Sequence, residues 1–290
     1  MTPRRYAVLG DPIAHSKSPA MHAAALRALG LPHTYEAVRA TQDDLPGLVA
    51  QLRDGVFHGF NVTVPHKEHV LALADDRDES ARLAGAANTL VRRADGRVVA
   101  HNTDAPALAA EIAELLPAGR TLAGARVLVL GSGGAARAAI VALGSHLGAS
   151  QVAVRARAFA DRARAEAFVA SAPGPVTAEP WSPSPDGERR TFAIVQATSA
   201  GMRGADAGEA IADVVAWRDL PPDAVAVDVV YAPRETPWLR AARAHGLPAK
   251  DGLGMLARQG ALALDLWLRQ GGADGPFSVP LLAMREALER

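Results

Sequence analysis

The stretch Val129-Leu-Gly131-Ser132-Gly133-Gly134-Ala135-Ala136 restricts the fold of this chain more than any other feature in it. It follows Ala125-Arg-Val-Leu-Val-Leu130, an apolar run of strand length, and leads into an alanine-rich segment of helical composition. Glycine at 131 and 133 with a small residue at 136 makes the pattern G-x-G-x-x-A, in the strand-turn-helix setting that a dinucleotide requires. The first glycine makes the tight turn. The second lets the backbone approach a pyrophosphate, and Ala136 lets helix and strand pack closely. Amides of the turn Ser132-Gly133-Gly134-Ala135 then face the phosphates. A glycine-rich turn without a ligand is the plainer explanation of a lone motif, but the flanking elements favour the cofactor.

The rest of the chain alternates strand-like and helix-like segments, which reads as α/β with largely parallel sheets. At about 150 residues per domain, a chain of 290 residues suggests two domains. Tyr6–Leu9, Tyr35–Val38 and Gly59–Val64 read as strands, the last stopped by Pro65 because proline cannot donate to a ladder. Ser18-Pro19 opens a helix, with Ser18 at the cap and Gly30 beyond the end. Asp43–Arg53, His66–Leu73 and Glu79–Ala84 read as further helices, and Ala87–Arg92 with Val98–His101 as a hairpin. Asp104-Ala-Pro106 starts a helix; after Leu130 the strands Gln151–Val154, Phe192–Gln196 and Ala224–Val229 continue the series. Ser171–Arg190, rich in Pro, Ser and Gly, reads as a surface connection, and Leu253–Arg269 and Pro280–Arg290 as closing helices.

Composition narrows the function classes. With 31 basic and 31 acidic residues the net charge is zero, so a nucleic-acid or membrane-surface partner would find no basic field. There is no cysteine, which rules out disulfides, thiolate metal sites and a cysteine nucleophile. No apolar run approaches the roughly 20 residues that span a bilayer. Met1-Thr-Pro-Arg-Arg runs straight into Tyr6-Ala-Val-Leu9 without a signal-peptide stretch, so a cytoplasmic location is expected. Only Lys17, Lys67 and Lys250 are lysine among the 31 basic residues. Where arginine serves nearly everywhere, a surviving lysine hints at a site that needs a compact ammonium.

Cofactor choice is expected about 20 residues past the glycine turn, where NAD-binding folds place an acid for the ribose hydroxyls. Gln151-Val-Ala-Val-Arg155-Ala-Arg157-Ala holds no acid and two arginines. A carboxylate would repel a 2′-phosphate, whereas an arginine can clamp it. Arg155 and Arg157 could be plain solvated residues, but the missing acid favours NADP.

Three other segments carry more polar groups than their settings need. Gly10-Asp-Pro-Ile-Ala-His15-Ser16-Lys17-Ser18-Pro19 brings two hydroxyls to a helix start, an anion cradle or simple capping. Asn61-Val-Thr63-Val-Pro65-His66-Lys67 places Thr63 and Lys67 past the end of a strand, where open α/β sheets bind ligands. Asn88 and Asp104 stand at further element ends, and Asp104 alone could be no more than a helix cap. His15 and His66 have no third ligand at matching spacing, so no metal site is expected.

Taken together these segments closely resemble the shikimate dehydrogenase family. Its motifs correspond to Gly10–Pro19, Asn61–Lys67, Ala86–Leu90, Asn102–Asp104, Leu130–Ala135, Ala197–Met202, Asp228–Pro233 and Gly252–Gln259, in order and over nearly the whole chain. The resemblance implies two α/β domains with a cleft between them. Residues 1–104 with 254–290 would form a mostly parallel substrate-binding domain, and 105–253 a Rossmann-type NADP-binding domain. It implies reversible reduction of 3-dehydroshikimate to shikimate, on the route to chorismate and the aromatic amino acids, by a monomer or homodimer. Lys67 and Asp104 match the family's catalytic pair. Ser16 and Ser18 match the hydroxyls that hold the substrate carboxylate; Thr63, Asn88, Asp104 and Gln259 match contacts to its ring hydroxyls, with Tyr231 close by. Gly252 and Met255 match positions beside the nicotinamide, and Thr198, Ser199, Met202 and Val229 complete the cofactor side.

The residue types suit that chemistry. Hydride delivery to a ketone builds negative charge on oxygen, so a proton donor with positive charge must lie within hydrogen-bond reach. A lysine restrained by a carboxylate supplies both. The chain departs from the family at Ala156-Arg157-Ala158, where Asn-Arg-Thr is usual, and at Gln196, where Asn is usual; Ala23 and Ala105 also replace common residues. Two alternatives stand: a paralogue acting on quinate or an aminoshikimate with NAD or NADP, and a catalytically silent NADP-binding sensor. Retention of both Lys67 and Asp104 argues against the second.

Overall fold

A computed structural model describes residues 2–185, 187–202, 204–270 and 278–289. It divides into two compact units, Met1–Thr103 with Leu256–Arg290, and Asp104–Met255.

The first unit is built on β1 (Arg5–Gly10), β2 (Thr34–Arg39), β3 (Gly59–Val62), β4 (Asp76–Arg77), β5 (Thr89–Arg92) and β6 (Val98–His101), in the order β2-β1-β3-β5-β6-β4. β1 is parallel to β2 and β3, and β4 to β6, while β5 runs against both its neighbours. The reversal follows from the hairpin between β5 and β6, closed by the Arg93 N–H on the Arg97 carbonyl at 2.8 Å. Both sheet faces are buried, as the alternation along β1 shows. Ala7 and Leu9 join Phe60, Val62, Leu90 and Ala100 against Leu45, Val49 and Leu52 of α2 (Leu45–Arg53) and Ala81 of α3 (Glu79–Ala84). Tyr6, pointing the other way, stacks on Trp267 of α8 (Leu253–Gln270) with ring centroids 4.9 Å apart. Gly59 must be glycine there, because a Cβ would lie 2.2 Å from the Trp267 indole nitrogen. α9 (Leu281–Glu289) joins α1 (Ser18–Ala28) through the Lys17 ammonium, which donates to the Leu288 carbonyl at 2.6 Å.

The second unit holds β7 (Arg126–Leu130), β8 (Gln151–Arg155), β9 (Val176–Glu179), β10 (Thr191–Gln196), β11 (Val225–Asp228) and β12 (Ala249–Lys250). Their order is β12-β11-β10-β7-β8-β9 and every pairing is parallel. This is the doubly wound order, with its reversal between β7 and β10, so the ligand crevice belongs at their carboxyl ends. Val127, Val129, Val152, Val154 and Val195 face Leu108 and Ile112 of α4 (Asp104–Leu115), Ile140 of α5 (Gly134–Val141) and Phe168 of α6 (Arg162–Ser171). Leu128, Leu130, Ala153 and Ile194 face the opposite way, onto Trp238 and Leu239 of α7 (Pro237–Ala244).

Three local expectations are corrected. The supposed surface connection Ser171–Arg190 contains β9, because Val176 is buried and Glu179 lies in register with Arg155. The helix expected over His66–Leu73 shrinks to a 3-10 turn, His69–Ala72, in which only Val70 is buried. Ser18 is not the cap of α1 but its first residue; Lys17 is the cap, and the Ser18 N–H is held by the Ser16 hydroxyl at 3.3 Å.

Candidate active site

In the first unit the ends of β3, β5 and β6 carry a chain of buried amides and hydroxyls. The Tyr35 hydroxyl donates to Asn61 Oδ1 at 2.8 Å, and Asn61 Nδ2 donates to the Asn88 carbonyl and to Thr89 Oγ1, each at 3.2 Å. Asn88 Nδ2 then donates to Thr103 Oγ1 at 2.9 Å and to Gln259 Oε1 at 3.2 Å, while its Oδ1 accepts the Thr103 N–H at 2.8 Å. Buried amides hold one orientation when both ends are bonded, so Asn88 and Gln259 are fixed side by side. His22 stacks on Tyr35 with ring centroids 4.0 Å apart, and burial pushes its imidazole down to about 3, so it is neutral at physiological pH.

The segment from Thr63 to Lys67 is anchored at both ends. The Thr63 N–H donates to the Leu9 carbonyl at 2.9 Å, and the Lys67 carbonyl accepts the Ala87 N–H at 2.7 Å. A Cβ on Gly10 would lie 2.5 Å from the Thr63 methyl, so glycine at 10 is what lets Thr63 sit there. Thr63, Ser16 and Lys67 are half-buried, and Ser18 is buried. Thus Ser16, Ser18, Thr63, Lys67, Asn88 and Gln259 all belong to one unit. Asp104, buried at the start of α4, and Tyr231, whose phenol burial pushes up, belong to the other. The lysine pattern misleads at two positions: Lys17 holds α9, and Lys250 is paired with Glu111 at 3.1 Å and Glu114 at 2.8 Å.

The glycine turn has the form that its sequence demands. Gly131 has φ +118, a conformation open to glycine, and a Cβ there would lie 3.0 Å from the Ala197 carbonyl. Gly133 caps α5, and a Cβ on it would meet nothing within 4 Å, so the approach to the helix start is clear. No acidic residue lies in the first turn of α5 to repel a phosphate. Across the sheet reversal, Gln196 orders the next loop. Its Oε1 accepts the Thr198 N–H at 2.5 Å, and its Nε2 donates to the Ala200 carbonyl at 3.1 Å and to Asp228 Oδ1 at 3.2 Å. Ser199 accepts the Met202 N–H through its carbonyl, leaving the Met202 side chain exposed. Gly252 packs on Val229, where a Cβ would lie 2.1 Å from the Val229 carbonyl oxygen, and Met255 is buried in the adjoining core. The Gln196–Asp228–Thr236 network escaped the sequence argument, although Asp228 heads one of the quoted motifs.

Arg155 is corrected. Its side chain has no exposed surface: Nη2 lies 2.8 Å from Glu179 and 2.6 Å from Glu188, and Nη1 donates to the Val214 carbonyl at 2.7 Å. A guanidinium so committed cannot clamp a phosphate. Arg157, two residues on, is 64% exposed and lies outside the sheet.

A family model for the shikimate dehydrogenase substrate binding domain matches residues 8–90. The NADP(+) shikimate dehydrogenase of Methylobacterium radiotolerans is 44% identical over 92% of this chain and 91% of its own. The chain belongs to the shikimate dehydrogenase family. The crystal structure of Thermus thermophilus shikimate 5-dehydrogenase in complex with NADP(H) and shikimate superposes with a TM-score of 0.80 and 38% identity, covering 99% of this chain and 98% of that one. Ligand-free 5-ketofructose reductase of a Gluconobacter strain has a TM-score of 0.82 at 30% identity, covering 100% and 99%.

Within the shikimate dehydrogenase family this member keeps the arginine of the Asn-Arg-Thr triplet and gives up its polar neighbours to Ala156 and Ala158. Gln196 in place of Asn is accommodated, since its longer amide still reaches Asp228. Among the described residues no three His, Asp or Glu side chains converge to hold a metal, and no helix is long and apolar enough to cross a membrane.

Proposed function

We propose that this chain is an NADP-dependent shikimate dehydrogenase, reducing 3-dehydroshikimate reversibly to shikimate for aromatic amino acid synthesis in the cytoplasm, as a monomer or homodimer. The observation that carries the proposal is 44% identity over 92% of the chain to an NADP(+) shikimate dehydrogenase, with Ser16, Ser18, Thr63, Lys67, Asn88, Asp104 and Gln259 all present. Residues 1–104 with 254–290 bind the substrate and 105–253 bind NADP. The open approach at Gly133 and the acid-free start of α5 suit a pyrophosphate. Gly131 makes the turn, its own N–H held by the Arg155 carbonyl at 2.7 Å, while the amides of Ser132, Gly133, Gly134 and Ala135 hold the pyrophosphate and Arg157 meets the 2′-phosphate. Gly252 and Met255 border the nicotinamide, which supplies the hydride when bound, and Thr198, Ser199, Met202 and Val229 complete the cofactor side.

The protein's own groups do the rest. Ser16 and Ser18 donate hydroxyl hydrogen bonds to the substrate carboxylate. Thr63, Asn88, Gln259 and Tyr231 meet the ring hydroxyls and set which carbon faces the cofactor. Lys67 Nζ donates to the ketone oxygen as negative charge builds there and gives up its proton. The Asp104 carboxylate accepts a ring hydroxyl. The resemblance to 5-ketofructose reductase raises a neutral sugar as a rival substrate, but the two serines suit an acid and the 44% identity to the Methylobacterium radiotolerans shikimate dehydrogenase exceeds the 30% to the reductase.

Steady-state kinetics with shikimate and NADP test the pair. Lys67→Ala should lower turnover by about 10²–10⁴, the usual worth of general acid–base help. Lys67→Arg should fail as well, because a guanidinium is a poor proton donor. Asp104→Asn should melt near the wild-type temperature yet lose activity, since Asn has the shape of Asp and loss of one charge in the first turn of α4 costs only about 0.3–1 kcal/mol. Full activity in Asp104→Asn, or wild-type turnover in Lys67→Arg, would show the pair to be wrong.

A further inference from the structure

Past the end of β8, Nη1 of Arg157 lies 3.5 Å from Oδ2 of Asp206, a residue of the loop that follows β10. Asp206 is held in place. Its Oδ1 accepts the Gly208 N–H at 3.0 Å, and its carbonyl accepts the Gly201 N–H at 2.8 Å. Gly208 has φ +81, and a Cβ on it would lie 2.6 Å from the Gly201 nitrogen, so the ends of this turn meet only because 208 is glycine. β8 and β10 flank β7 in the sheet. The ion pair therefore joins the two loops on either side of the G-x-G-x-x-A turn. Arg155, buried against Glu179 and Glu188, adds no exposed charge beside it.

We propose that Asp206 is a specificity-determining residue: it occupies Arg157 as a counter-ion that a 2′-phosphate must displace, so the preference for NADP over NAD is set by a competition between carboxylate and phosphate. The inference rests on the assignment of Arg157 to the 2′-phosphate. The pair is solvent-exposed, at 64% and 53% of the two side chains, so its effect is modest and weakened by salt. The phosphate, however, also gains relief from a nearby like charge when the carboxylate is removed. NAD, which lacks that phosphate, has no reason to displace the pair.

The test is calorimetric titration of NADP and of NAD, at one low ionic strength, into wild type, Asp206→Asn, Arg157→Gln and the double variant. Asn keeps the oxygen that accepts the Gly208 N–H, so the turn survives, and thermal melts check that it does. Asp206→Asn should tighten NADP by about three- to tenfold, leave NAD within twofold, and tighten NADP by a clearly smaller factor in the Arg157→Gln background. Arg157→Gln alone should weaken NADP and spare NAD. If that variant weakens both cofactors equally, the phosphate assignment itself is wrong. If it is selective while Asp206→Asn leaves NADP unchanged, weakens it, or tightens both cofactors alike, the competition is overturned and the assignment stands.

Discussion

Asp228 ends β11 with no exposed surface, and burial pushes its carboxyl up to about 7, with Asp251 adding to the rise. Hydrogen bonds from the Thr236 hydroxyl at 2.5 Å and the Val230 N–H at 2.9 Å pull the other way without cancelling it. An acid that holds its proton more tightly when folded contributes stability that is complete below its unfolded pKa, near 4, and lost as pH rises toward 7. Asp228→Asn mimics the protonated form. The melting temperature of that variant relative to wild type should therefore climb between pH 4 and pH 7 and level off above; a difference that stays flat over that range would show the carboxyl to be ionised throughout. Arginines 155 and 157 make the complementary point about legibility. Two residues apart in one segment, they are equivalent to a reader of composition. Strand register separates them, placing Arg155 opposite Glu179 inside the sheet edge and Arg157 beyond it. Similarly, nothing in the word Gln196 announces that its amide orders Thr198, because that depends on which side chain the neighbouring strand brings alongside.

Elements are tied together by the acids that took Arg155. Arg126 of β7 pairs with Glu179 of β9 at 2.6 Å and with Glu188 at 2.8 Å, while Arg155 of β8 pairs with the same two carboxylates. Glu188 has no exposed surface, so removing its charge leaves a buried guanidinium undercompensated. Glu188→Gln should cost about 3–5 kcal/mol of stability in chemical denaturation. Its dissociation constant for NADP should move far less than that of Arg157→Gln; a larger loss of NADP binding than of stability would return Arg155 to the cofactor site. This network also explains why β9 resembles a connection in the sequence. Its four residues, Val176–Glu179, include one buried apolar side chain, and its edge is held by ion pairs that carry no hydrophobic period. β4 and β12, two residues each, are too short to show any period. By contrast β7, β8, β10 and β11 are continuous apolar runs buried on both faces, and the doubly wound order follows from them and the glycine turn.

On the scale of the whole molecule, the residues assigned to the substrate carboxylate and those assigned to the cofactor phosphates are built into different compact units. Ser16 and Ser18 sit beside α1 in the first, and Gly131, Gly133 and Arg157 follow strands of the second. Each set is supported by its own core, so damage to one leaves the hydrogen bonds that order the other intact. Ser16→Ala with Ser18→Ala removes both hydroxyls and the Ser16 acceptor of the Ser18 N–H, which should lower stability by about 1 kcal/mol, the usual cost of a lost helix-start bond. Binding should respond unevenly. Isothermal titration of shikimate into the double variant should show a weakening of tenfold or more, about 1.4 kcal/mol for each factor of ten, while NADP affinity stays within twofold of wild type. Ligand-dependent melting gives the same answer independently, since a ligand that binds only the folded state raises the transition by an amount set by its own affinity. The shift with shikimate should shrink and the shift with NADP should remain. Equal loss of both shifts would mean that the two serines hold the fold of α1 and do not hold a carboxylate.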